Sequence, residues 1–386
     1  MPFSRGILAR SLLRCGLDPV SAYSIALRVQ GRLVRARYTR DDLRAMVLEI
    51  LEKDGLPEIA ERYRGSEVPA QILVKGKHYA PFSKGILARS LRVSAIDYLS
   101  ALLIAQRIEN QLLAKNVREI SEKELLTRTR RELSAERGEE AARRYMTWRK
   151  MVASDYPLVV LIGGPTGAGK STLAIELASR MEITQVVSTD VIREILRTMF
   201  SEKLLPAVHK SSYIVGKTLK LPPEPGTDEV LAGFHQQSLL VNVGVEAMIR
   251  RAIQENVDLI VNGVHIVPGI LDLGRFRGAC IVQFVITVSN LDEHLQRFLR
   301  RERSAKRRKA KTYVDNFHDI CRINDYIVRR AREEGVPTID NIDTDESAEQ
   351  ALAYIIDRIR SSGLVGSPGR RPGGRGNGYG KSSRTH

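Results

Sequence analysis

Two spacings of apolar residues divide the chain. Before Tyr156 they recur every three or four positions. In SAYSIALRVQGRLV the residues Ala22, Ile25, Ala26, Val29 and Leu33 fall on one side of a helix. Asp18-Pro19, Thr39 and Ser121 stand where helices should begin, with side chains that can accept from the first free amides. One interruption, QILVKGKHYAPFSKG, centres on Gly76 and predicts a short hairpin. From Tyr156 onward the apolar residues come in short continuous runs instead. PLVVLIGG, ITQVVSTD (183–190), VDLIVNG (257–263), CIVQFVITV (280–288) and VPTIDN (336–341) each predict a buried strand. Helical stretches lie between them, the first from Lys170 to about Met181. Strands alternating with helices predict an α/β fold: a five-stranded parallel sheet flanked by helices, preceded by a mainly helical region.

The helical region is a duplication. PFSRGILARSL at 2–12 returns as PFSKGILARSL at 81–91, and at the same offset Asp18 pairs with Asp97, Ser21 with Ser100, Ile25 with Ile104 and Arg28 with Arg107. After a three-residue insertion YTRDDL (38–43) matches ISEKEL (120–125), and Tyr63 matches Tyr145. The hairpin precedes only the second copy. The first is either a truncated unit or one whose start lies upstream. Four regions are expected: repeat 1 at 1–68, repeat 2 at 69–148, a catalytic region at 149–360, and a tail at 361–386 whose Gly, Pro, Arg and Ser residues cannot build a core.

Charge changes this picture less than its size suggests. The net charge is +16, but residues 300–311 carry eight bases and one acid, and the tail carries five bases and no acid. Together they hold most of the excess, so a basic surface over the whole protein is not indicated. No apolar run reaches the length of a membrane span, and the N-terminus lacks the apolar core of a secretory signal. Cys15, Cys280 and Cys321 are scattered without metal-ligand spacing and read as reduced thiols, which points to the cytoplasm.

The chemistry concentrates after the first strand. Gly164, Pro165, Thr166, Gly167, Ala168, Gly169, Lys170 and Ser171, followed by Thr172, fit G-x-x-x-x-G-K-[ST] between a strand and a helix. Such a loop turns successive amides toward phosphate oxygens and aims a helix N-terminus at the same anion. Lys170 is expected at the β- and γ-phosphates of ATP, and Ser171 on Mg²⁺. Asp190, at the end of the second run, is the candidate to accept the proton of an attacking hydroxyl; a helix cap is the plainer reading. Arg193 and Arg197, four apart, are candidates for an anionic acceptor, as are His209, Lys210, Ser211 and Ser212 in LLPAVHKSSY and His265 in VNGVHIVPG. The strand end where an acid commonly assists the metal holds Asn262 instead, with Asp258 near the strand's start. The basic run at 300–311 fits a lid closing over the γ-phosphate, with Arg300, Arg303, Arg307 and Arg308 as its cations; a solvated helix face is the alternative.

Taken together, the P-loop, STDVIRE (188–194), LLPAVHKSSY, GVHIVPG (263–269), the Arg-rich stretch followed by Asn316, Phe317 and DYIV (325–328), and VPTIDN resemble the archaeal 2-phosphoglycerate kinases over about residues 150–358. The two repeats resemble the ATP-cone module. The resemblance implies an ATP- and Mg²⁺-dependent P-loop kinase that phosphorylates the 3-hydroxyl of 2-phosphoglycerate. The implied product, 2,3-bisphosphoglycerate, leads to a cyclic compatible solute. It implies a small phosphorylated hydroxy acid as partner. Packing of the repeats on each other or across a homo-oligomer is a further expectation. Two other readings stay open. One is a kinase of 5′-hydroxyl polynucleotide ends, against which the basic run lacks interleaved stacking aromatics. The other is a non-catalytic, nucleotide-dependent switch.

Overall fold

The computed structural model describes residues 5–33, 38–65, 72–76, 79–115, 117–218, 228–290, 292–297 and 315–364. Its contacts divide the chain into two units, Met1–Ser83 with Arg107–Thr127, and Lys84–Gln106 with Arg128–His386.

The first unit holds α1 (Arg5–Arg14), α2 (Pro19–Gly31), α3 (Arg40–Lys53) and α4 (Pro57–Gly65). The three- and four-residue spacing of apolar positions becomes its core, in which Leu12, Ala22, Ala26, Val29, Ile50 and Leu51 are fully enclosed. Asp18 caps α2 by accepting from the Val20 and Ser21 amides, and Thr39 and Asp42 cap α3 reciprocally. The predicted hairpin is present. β1 (Leu73–Lys75) pairs antiparallel with β2 (Tyr79–Pro81), and β3 (Glu119–Ser121) adds in parallel to the other edge of β1.

Helices α5 (Lys84–Leu91), α6 (Tyr98–Ala114) and α7 (Glu122–Val152) continue the second repeat. The chain passes from one unit to the other along α6 and again along α7. The duplication is reproduced in detail. Ser11 Oγ donates to Leu8 O at 2.7 Å and Ser90 Oγ to Leu87 O at 2.8 Å. Asp97 accepts from the Ser100 amide as Asp18 does from Ser21, and Tyr63 and Tyr145 are both buried.

All five strands predicted after Tyr156 form. They are β4 (Leu158–Gly163), β5 (Gln185–Ser188), β6 (Leu259–Asn262), β7 (Cys280–Thr287) and β8 (Thr338–Asp340), in the order β5-β6-β4-β7-β8 and parallel throughout. Every residue of β4 and β6 is buried, as expected of central strands covered on both faces. The helices are α8 (Lys170–Met181), α9 (Thr189–Met199), α10 (Glu229–Glu255), α11 (Phe317–Glu333) and α12 (Thr344–Ser361). Register brings Ser188, Asn262 and Ile162 level at the carboxyl ends of β5, β6 and β4. One boundary moves. The apolar run 183–190 predicts strand to its end, but Ser188 Oγ accepts from the Val191 amide and starts α9 there. Asp190 therefore rides in the first turn of a helix.

Within the second unit the segment after α5 is tied to α8. Arg92 donates to Ser179 Oγ at 3.0 Å and to Glu176 Oε1 at 2.9 Å. Glu176 Oε1 also accepts from Arg180, whose other nitrogen reaches Asp345 at the start of α12. Among the described residues no helix is long and apolar enough to cross a membrane.

Candidate active site

The loop between β4 and α8 is shaped by the backbone beside it. A Cβ at Gly163 would stand 2.2 Å from Ile266 O, and one at Gly164 2.2 Å from Ile286 O, so neither place admits a side chain. Gly169 precedes α8 with φ 88° and no side chain caps that helix, so its first amides face the loop's interior. Lys170 Nζ donates to Pro165 O at 2.7 Å across the same loop. Two further carbonyls of the loop are held from outside. His294 Nε2 meets Thr166 O at 2.8 Å, and Asn341 Nδ2 donates to Ala168 O at 2.6 Å.

In front of this loop opens a cleft of about 600 Å³. One side is Thr166, Gly167, Gly169, Lys170 and Ser171; another is Ser188, Asp190, Val191, Arg193 and Glu194 from the β5–α9 junction; a third is Ser211, Ser212 and Tyr213; Asn262, Gly263 and Val264 form the floor. Ser171 Oγ donates to Asn262 Oδ1 at 3.1 Å, which joins the helix after the loop to the end of β6. The Asp190 carboxylate is largely exposed and lies 3.8 Å from Arg193 Nη2. Arg193 Nη1 donates to Lys210 O at 2.8 Å, while its buried Nε has no partner among the described residues.

Of the acceptor candidates, Arg193, Ser211 and Ser212 meet in the cleft. The other four do not line it. Arg197 is paired on the surface with Glu194, Lys210 forms a 2.9 Å ion pair with Glu202, and His209 Nε2 is bonded to Phe200 O at 2.8 Å. His265 is fully buried behind the floor, with Nδ1 2.9 Å from Thr189 Oγ1 and Nε2 3.0 Å from Gln237 Oε1. It is not a surface that substrate can touch. Burial holds its imidazole pKa down to about 3, with Arg193 and Lys170 pushing the same way against the nearby Asp190. The segment 204–213 is also less open than its polarity suggests, because Ala207, Val208, Ser212 and Tyr213 are buried.

Several residues of the site carry no sequence motif. Gln237 and Asn242 are polar members of the buried stripe of α10, between Phe234, Val241 and Val245. Gln237 Nε2 donates to Ala207 O and Lys210 O, and Asn242 Nδ2 to His265 O. A polar side chain on an otherwise apolar helix stripe is the signal that would have found them. A second cleft of about 400 Å³ adjoins the loop on the far side, between Gly167, Gly169 and Thr172 and the stretch Asn341–Asp345, with Glu293 and Arg297 at its edge. Arg297 donates to Asn341 O at 2.5 Å. The expected lid cations Arg300, Arg303, Arg307 and Arg308 lie outside the described residues, as does the tail after residue 364; of the expected tail, Ser361 instead ends α12.

A family model described as an AAA domain matches residues 160–319. The chain is 43% identical over 296 residues to the 2-phosphoglycerate kinase of Methanothermobacter thermautotrophicus, which spans 76% of this chain and 96% of that protein. It is 38% identical over 291 residues to the 2-phosphoglycerate kinase of Methanopyrus kandleri, covering 75% and 88%. With the Pyrococcus horikoshii 2-phosphoglycerate kinase it shares 35% over 292 residues, covering 75% and 94%.

Proposed function

The chain belongs to the 2-phosphoglycerate kinase family, and from that premise we propose that it transfers the γ-phosphate of ATP to the 3-hydroxyl of 2-phosphoglycerate, giving 2,3-bisphosphoglycerate and ADP. The observation that carries this reading is the single cleft in which the phosphate loop faces Asp190, Arg193, Ser211 and Ser212. Phosphoryl transfer asks a protein mainly for positioning and for charge at the transferred group. The loop amides and the N-terminus of α8 hold the phosphates, and Lys170 supplies a cation at the γ-phosphate. The second cleft takes the base and ribose, against Arg297 and the exposed Ile342. Arg193 receives an anionic group of the acceptor, with the Ser211 and Ser212 hydroxyls beside it. Asp190 accepts the proton that the 3-hydroxyl loses as its oxygen bonds to phosphorus and the β–γ bridge bond breaks.

A divalent cation fits this donor set. Ser171 Oγ, Asn262 Oδ1 and the Asp190 carboxylate are hard oxygen ligands, and no group of three or more acidic, His or Cys side chains able to cage a metal occurs among the described residues. That pattern suits Mg²⁺ arriving with the nucleotide and keeping most of its ligands from phosphate and water. When bound, Mg²⁺ would neutralise charge on the phosphates. Ser171 would hold it, and Asn262 would orient Ser171.

The test is a phosphotransfer assay with 2-phosphoglycerate, 3-phosphoglycerate, glycerate and a 5′-hydroxyl oligonucleotide. The expected result is turnover of 2-phosphoglycerate well above all the others. A better rate with the oligonucleotide or with 3-phosphoglycerate overturns the acceptor while leaving the ATP site standing.

A further inference from the structure

The acceptor end of the cleft is formed by two walls from separate parts of the chain. One is the first turn of α9, carrying Asp190 and Arg193; the other is the Ser211–Tyr213 loop. Behind them runs a line of fully buried polar side chains, Thr189, His265 and Gln237. Its hydrogen-bond directions are determined. Gln237 Nε2 reaches Ala207 O at 2.6 Å and Lys210 O at 2.9 Å. Carbonyls only accept, so the amide nitrogen points to them and Oε1 points to His265. Oε1 likewise only accepts, so His265 Nε2 carries the proton, a share of which the Ser212 hydroxyl accepts at 3.4 Å. A neutral imidazole carries one proton, which leaves Nδ1 to accept from the Thr189 hydroxyl. Asn242 fixes the backbone of the same residue by donating to His265 O at 2.7 Å. At one end of this line Thr189 sets the rotation of the first turn of α9. At the other, Gln237 and Arg193 both grip Lys210 O, the carbonyl just before Ser211.

We propose that His265 and Gln237 are positioning residues. They hold the α9 wall at a fixed distance from the Ser211–Tyr213 wall, and that distance governs recognition of the anionic acceptor. Neither residue touches substrate. The proposal rests on the reading of this cleft as the acceptor site. The phosphate loop is braced by a different set of contacts, from His294 and Asn341, so the spacer acts on the acceptor and not on ATP. A shift of about 1 Å between such walls is enough to spoil alignment for transfer.

The two halves of the imidazole can be removed separately. His265→Asn keeps an acceptor near Thr189 and loses the donor to Gln237, His265→Gln does the reverse, and Gln237→Leu releases both loop carbonyls. In folded variants the KM for 2-phosphoglycerate should rise about tenfold or more with Gln237→Leu, and less with either His265 variant, while the KM for ATP stays within about twofold. The discrimination against 3-phosphoglycerate should fall in parallel. Adding His265→Gln to Gln237→Leu should raise the acceptor KM by less than the product of the two single effects, because both act on one line. Equal changes in the two KM values, or an unchanged acceptor KM in folded Gln237→Leu, overturn the proposal. Nitrogen-15 NMR of the wild-type imidazoles gives an arm independent of turnover. An exchange-protected Nε2–H signal is expected from His265, and buried His294, bonded through Nε2 to Thr166 O, should also give one. The His265 signal is the one expected to be missing from the His265→Asn spectrum, and an Nδ1–H tautomer at His265 overturns the spacer. If the wild type fails to phosphorylate 2-phosphoglycerate, the functional reading falls, and this spectrum still decides the geometry.

Discussion

Gly263→Ala adds one methyl group at the floor of the cleft, and its effect can be worked from the coordinates. The backbone there needs no glycine, but a Cβ at 263 would stand 1.7 Å from Thr189 Oγ1, 2.6 Å from its Cβ and 2.7 Å from its Cγ2. Carbon and oxygen at ordinary contact are about 3.5 Å apart, so Thr189 must retreat by roughly 2 Å or turn away. Either movement breaks the 2.9 Å bond to His265 Nδ1, and Thr189 is fully buried, so its hydroxyl finds no water in exchange. Overpacking costs about 1–3 kcal/mol, and the orphaned buried hydroxyl about 1–3 kcal/mol more. For a domain of this size each kcal/mol lowers the melting temperature by about 2–4 °C, so a fall of about 10 °C is expected. The larger effect is on turnover. Asp190 follows Thr189 in the same helical turn, and a displacement of about 1 Å at the reacting groups costs about 100-fold in rate. ATP affinity, carried by the loop and α8, should be unchanged. Thermal melts, ATP titration calorimetry and steady-state phosphotransfer separate the three effects. A Gly263→Ala enzyme that keeps its kcat within about threefold refutes the reasoning, because Asp190 would then not depend on where Thr189 sits.

Two other predictions are more direct. Lys170→Ala should remove phosphotransfer while leaving the melting temperature nearly unchanged, since it deletes a cation at the transferred phosphate and no core contact; near-normal turnover in the folded variant would remove the kinase assignment. Asp258 is half-buried just before β6, where it accepts from the Leu158 amide at 2.7 Å, and desolvation raises its pKa. A raised folded pKa means that its contribution is complete below the ordinary carboxylate range and is lost as pH rises through the folded value. Asp258→Asn keeps the acceptor without the charge, so it should melt higher than wild type at pH 7 and equally near pH 3; a variant that is less stable at pH 7 contradicts this.

The five strands were legible because each is a short apolar run between turn residues, and the phosphate loop because its spacing is fixed by the geometry of an anion nest. The proposed acceptor side was legible only as a collection of polar residues. His209, His265 and Lys210 share their polarity with Ser211 and Ser212, and sequence alone cannot tell a side chain that faces a cleft from one that ties the wall behind it. That difference is decided by partners far along the chain. Gln237 lies 28 residues from His265 in sequence, and Asn341 lies 173 residues from the carbonyl it holds in the phosphate loop. The apolar run leads straight into Asp190 and by itself places that residue at the end of a strand; one hydroxyl, Ser188, suffices to begin a helix instead.

The duplicated region also has a history written in one pair of positions. Arg92, which binds the helix carrying Lys170, corresponds to Leu13 in the first copy, and Leu13 is partly exposed there. The descendants of one ancestral segment have therefore come under different obligations. The second copy cannot drift at Arg92 without slackening its hold on Glu176, which Arg180 shares and extends to Asp345 at the second cleft. At Leu13 the first copy has no such tie among the described residues, although the neighbouring Leu12 is enclosed in its core. Anyone excising a repeat or transplanting one between family members should treat the two as unequal, since exchanging them would set a leucine opposite Glu176.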